Sequence, residues 1–168
     1  SGIELSPFLL PLRPGVASDP KRTFDGLFGV FNDSLPDGWG LLLLDRLLRR
    51  SGLPLERITP LSRLSLVGSG GMGALEYEPV TPDPDPLPER IDLDGVAEEA
   101  WRTLNEDPLP VETLRTLMAL NGSSCGARPK IMVRVSGDRR LIVPDAVAEP
   151  GCDPWLIKFP ARHDDPAI

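Results

Sequence analysis

Near residue 120 the hydrophobic pattern changes period, and this change constrains the fold more than any other feature of the chain. Before it, apolar residues recur every three or four positions over residues 39–50, 93–104 and 111–120, the spacing of helices that bury one stripe. After it, residues 130–135 alternate, Ser136-Gly137-Asp138 turns, and residues 141–143 and 155–159 read as two more strands. The expected fold class is α+β. A mixed N-terminal subdomain of strands and helices spans residues 1–120, and a set of antiparallel strands occupies 121–168.

Finer signals fill in the first part. Prolines at positions 7, 11, 14 and 20 predict extended segments and turns at the start, because each fixes φ and removes a donor. Phe24, Leu27, Phe28 and Phe31 follow helical spacing. Residues 39–50 form a helix with basic residues in its last turn and a stop near Gly52. Residues 61–67 and 74–80 are expected to be two strands joined by a glycine turn. Residues 79–88 form a stiff, acidic, proline-rich connector. The helix over 93–104 takes Asp92 or Asp94 as its cap.

Composition excludes several classes. Apolar residues make up 40% of the chain, enough for a core. A net charge of −7 opposes non-specific nucleic-acid binding. The densest basic spot, Arg46, Arg49 and Arg50, reads as a solvated helix end. Two cysteines without CxxC spacing support neither a disulfide framework nor a zinc site. His163 is the sole histidine, and no GxSxG elbow accompanies it. The same cysteine usage makes a reduced cytoplasmic setting the expectation, and no apolar run is long enough to span a bilayer. The opening Ser1-Gly2-Ile3 and the polar ending at Ile168 read as the edges of a piece of a longer protein.

Two glycine loops compete as ligand sites. Gly68-Ser69-Gly70-Gly71-Met72-Gly73 satisfies G-x-G-x-x-G. A dinucleotide fingerprint must open a helix, whose N-terminus holds the pyrophosphate, and a helix directly after Gly73 is what an NAD-binding reading requires. The alternating residues 74–78 favour a tight turn needing positive φ instead. The second loop, Ser123-Ser124-Cys125-Gly126-Ala127-Arg128-Pro129-Lys130, runs straight into a strand. Its glycine lets backbone N–H groups approach phosphate oxygens, and Arg128 and Lys130 add charge. A hairpin follows it, and then a third strand bearing Lys158. That order of loop, two strands and strand lysine is the layout of a kinase-like small lobe. Lys158 shares a strand face with Leu156, opposite Trp155, Ile157 and Phe159. An ammonium in an apolar strand pairs with an anion or sits at an edge, where lysine also discourages aggregation. An ordinary polar loop remains the plain alternative for Ser123–Lys130.

Four ordered segments resemble the HipA-like toxin serine/threonine kinases of bacterial toxin–antitoxin pairs. They are Phe31-Asn32-Asp33-Ser34-Leu35-Pro36-Asp37-Gly38-Trp39-Gly40, the Gly68–Gly73 turn with Ala74-Leu75, the S-x-x-G-A-R-P-K loop from Ser123, and Trp155-Leu156-Ile157-Lys158-Phe159-Pro160. The resemblance implies that Cys125, Gly126, Ala127, Arg128, Pro129 and Lys130 contact ATP and that Lys158 is the phosphate-binding lysine. It implies autophosphorylation at Ser123, with Ser124 as neighbour and competitor. ATP and Mg²⁺ would serve the intact protein. The implied partners are a protein substrate and a small DNA-binding antitoxin, so that DNA contact is indirect, with no membrane involvement. The family's catalytic and magnesium-binding aspartates lie in a C-terminal lobe, and nothing after Lys158 supplies them. His163-Asp164-Asp165 reads as a polar loop, and these 168 residues alone are expected to be inactive. The alternative reading is a non-catalytic interaction module that docks an antitoxin or the remaining kinase lobe.

Overall fold

The structure is a computed structural model that describes residues 10–11, 13–52, 54–71, 74–79, 87–105, 108–122 and 126–160. Five α-helices precede a three-stranded antiparallel sheet among these residues. The α+β expectation is therefore met.

The helices are α1 Gly29–Asn32, α2 Gly38–Arg50, α3 Pro60–Val67, α4 Leu93–Leu104 and α5 Val111–Asn121. α2 buries Trp39, Leu43, Leu44, Leu47 and Leu48 along one stripe, and its last turn carries Arg49 and Arg50 toward the negative end of the helix dipole. In α4, the Asp92 side chain accepts from the Asp94 amide, which satisfies an otherwise orphaned donor. α5 closes at Gly122 in the left-handed conformation, φ 56°.

Three local expectations change. Residues 61–67 are helical rather than a strand. Thr59 Oγ1 accepts from Ser62 N, and Pro60 occupies the first turn, where its missing N–H costs nothing. Leu64 and Val67, three apart, face inward while Leu61 is exposed. With no strand there to pair with, residues 74–79 form no strand either. The helical spacing over 24–31 yields only α1, because Asp25 (φ 52°) and Gly26 (φ 94°) turn the chain first.

The strands are β1 Lys130–Ser136, β2 Ile142–Pro144 and β3 Cys152–Lys158, in the order β2-β1-β3. β1 is central, and β3 pairs only with β1 among the described residues. In the β1–β2 turn, the Ser136 hydroxyl and then the Arg140 amide hold the Asp138 carboxyl below the ordinary carboxylate range.

One apolar cluster joins these elements. Trp39, Leu43 and Leu47 of α2 meet Val96 and Ala100 of α4, then Leu114, Leu117 and Leu120 of α5. Ile131, Val133 and Val135 of β1 and Phe159 complete it. The cluster draws on residues from both sides of residue 120. Among the described residues no helix is long and apolar enough to cross a membrane.

Candidate functional site

The loop before β1 is seated on the start of α2. Gly126 lies at φ 111°, which disfavours any side chain. Its N–H donates to Asp37 Oδ1 at 2.7 Å, across 89 positions of sequence. Its carbonyl accepts twice, from Trp39 N at 3.0 Å and from Lys130 Nζ at 2.9 Å. Asp37 stands at the N-cap of α2 but makes no side-chain cap to its own helix. The Gly126 carbonyl instead takes one of the free amides of that helix end, where a partial negative charge is favourable.

The approach is tight. A Cβ on Gly38 would lie 2.7 Å from both the carbonyl carbon and the oxygen of Gly126, and 2.8 Å from Ala127 Cα. Gly38 also has φ 44°. Gly38→Ala therefore meets backbone rather than a flexible side chain, in a conformation that L residues resist. It is expected to destabilise the fold by about 2–3 kcal/mol, from left-handed strain plus overpacking, measured as a lowered urea midpoint.

The predicted loop residues separate into two sets. Pro129 and Lys130 are buried, with Lys130 only 2% exposed. Its ammonium is turned back onto the Gly126 carbonyl, as a buried charge requires. Gly126, Ala127 and Arg128 are exposed. Ser123, Ser124, Cys125, His163, Asp164 and Asp165 lie outside the described residues.

Lys158 is exposed at the end of β3, which is an edge strand among the described residues. It is in register with Lys130. The flanking Phe159 N donates to Pro129 O at 2.9 Å. Positions 130 and 158 are thus a non-hydrogen-bonded pair, the closer kind, with Cα atoms about 4.5 Å apart. The two lysines leave the same face of the sheet beside the Gly126 loop. Like charges directly opposite repel. That repulsion falls when Lys130 is held by Gly126 and Lys158 extends to solvent, and an anion between them would lower it further.

The first glycine run lies against the end of α5. It closes helix α3 instead of opening one, and residues 74–79 contain no helix. The dinucleotide fingerprint therefore lacks its helix, and the NAD-binding reading lacks its physical basis. Gly70 and Gly71 border a cavity of about 150 Å³ with Gly122, Met132 and Asp145. A Cβ on Gly122 would lie 2.6 Å from Met132 Sδ and 3.6 Å from Gly70 O. Two glycine segments far apart in sequence thus share one wall.

Sequence reasoning missed Asp37 and Gly38 as site residues. Pro36-Asp37-Gly38 reads as a turn before a helix, and a turn signal does not reveal what the carboxylate holds. Among the described residues no cluster of His, Cys, Asp and Glu could hold a metal.

A family model described as the HipA N-terminal domain matches residues 1–78. The match contains the segment bearing Asp37 and Gly38 and the first glycine run, and it ends before the Gly126 loop. No curated protein and no solved structure matches the chain.

Proposed function

We propose that this chain, whose residues 1–78 match the HipA N-terminal domain, supplies the ATP phosphate loop and strand lysine of a HipA-like toxin serine/threonine kinase. The supporting observation is the register of Lys158 with Lys130 beside a glycine loop held by α2. In this arrangement the loop's exposed side, Ala127 and Arg128, and the Lys158 ammonium face the nucleotide phosphates. Lys130 works from behind, holding the loop's shape through the Gly126 carbonyl. Mg²⁺ bound with ATP would neutralise phosphate charge.

Ser123 and Ser124 precede Gly126 in the same loop. A phosphate on either adds about −1.5 to −2 charge beside the nucleotide phosphates, which gives autophosphorylation an inhibitory effect. After the intact protein is incubated with Mg-ATP, mass spectrometry is expected to find phosphate on Ser123 or Ser124. Phosphate found only outside this loop would reject the assignment.

The partners in this reading are a protein substrate and a small DNA-binding antitoxin, with DNA reached only through the antitoxin. The reading as a non-catalytic docking module draws on the family match, which covers the N-terminal part alone. Titration of Mg-ATP against the intact protein separates the two, since a module without a nucleotide site gives no saturable binding.

A further inference from the structure

We propose that Asp37 is a positioning residue for the nucleotide loop, acting through Gly126 rather than on the nucleotide itself. The inference rests on the phosphate-loop reading above and adds to it the element that holds the loop in place.

The Asp37 carboxylate has the geometry of a cap but is spent elsewhere. It makes no side-chain bond to its own helix. It accepts from Gly126 N at 2.7 Å, the short distance of a charge-assisted bond. This bond and the Trp39 N–H bond to Gly126 O hold the two consecutive peptide units that meet at Gly126. Gly38, between the two clamping residues, brings the backbones so close that a Cβ cannot fit. The clamped carbonyl is also the partner of the Lys130 ammonium. Asp37 therefore holds the Gly126 N–H, Trp39 N–H and Lys130 hold the Gly126 carbonyl in the next peptide unit, and Lys130 lies opposite Lys158 in the sheet.

The same contact assigns chemistry to the loop. With Gly126 N–H taken by a carboxylate, phosphate oxygens meet the donors on the loop's outer side. A free Asp37 beside them would repel phosphate. The bond to Gly126 N makes the Asp37 carboxylate a restraint on the loop.

Asp37→Ala removes the acceptor, while Asp37→Asn keeps an oxygen in the same place. Asp37 is exposed, so both variants are expected to fold with nearly unchanged melting temperatures. In the 168-residue chain, Asp37→Ala is expected to speed hydrogen exchange at the Gly126 amide at least about tenfold, as for loss of one charge-assisted bond. In the intact protein it is expected to weaken Mg-ATP binding by a similar factor, and Asp37→Asn to restore most of both. Unchanged exchange at Gly126 in Asp37→Ala would overturn the anchor. Faster exchange with unchanged Mg-ATP affinity would overturn the positioning role. If the wild-type intact protein does not bind Mg-ATP, the phosphate-loop reading fails and the positioning role fails with it, while the exchange result still reports whether the clamp exists.

Discussion

Lys158→Ala is expected to lower phosphotransfer by the intact protein at least about 100-fold, the scale of losing one preorganised charge partner of a transition state. Its stability should barely move. Lys158 is exposed on an edge strand of the described sheet, and substitutions at such positions usually stay within about 0.5 kcal/mol. Removing it also relieves repulsion against Lys130 across the register. The rival explanation of an edge-strand lysine is that it blocks strand-to-strand aggregation, a role that either sign of charge can fill. Lys158→Glu separates the two, since it keeps an edge charge but would repel phosphate. Full activity in Lys158→Glu would leave Lys158 with only the edge role. The measurement is phosphotransfer rate alongside melting temperature for all three proteins.

Trp39→Ala is expected to have the largest effect on the fold, about 3–5 kcal/mol, the usual cost of truncating a buried aromatic. Trp39 is 1% exposed and packs in the cluster joining α2, α4, α5 and the sheet. Small domains are stable by only about 5–15 kcal/mol, so a loss of this size is a large fraction of the total. Urea unfolding followed by circular dichroism checks it, with the midpoint falling and the slope nearly constant. The Trp39 indole N–H is buried without a hydrogen-bond partner among the described residues. Trp39→Phe removes that unsatisfied donor while keeping most of the ring, and is expected to cost much less. A midpoint unchanged in Trp39→Ala would mean that the α2–sheet core does not hold the domain together. Trp39 also ties core to site, because its backbone N–H bonds Gly126 O. The loop can be no better ordered than the helix end on which it sits.

The fit between sequence and structure follows the range of the interactions. α2, α4 and α5 were legible because a helix repeats its buried face every turn. Trp39, Leu43 and Leu47 declare one face within nine residues. β1 was legible for the same reason, with Ile131, Val133 and Val135 alternating. Residues 61–67 were misread because a short apolar run fits both periods. The deciding signal was the Thr59-Pro60 start, which provides a cap and a proline at the first turn. That signal was present in the sequence, and it outweighs the pattern of so short a run.

The site divides the same way. A small-residue loop running into a strand, with a lysine two strands later, is a local pattern, and the sequence by itself determined it. Tertiary structure alone decided which lysine is buried: Lys130 is central and tucked onto Gly126, while Lys158 is at the edge and open to solvent. Tertiary structure also brought Asp37 to Gly126 and set Gly70 and Gly71 against one cavity with Gly122. Periodicity records which side of an element faces inward. It has no term for which distant element arrives there, and a contact spanning 89 residues is set only when helix, loop and sheet pack around a common core.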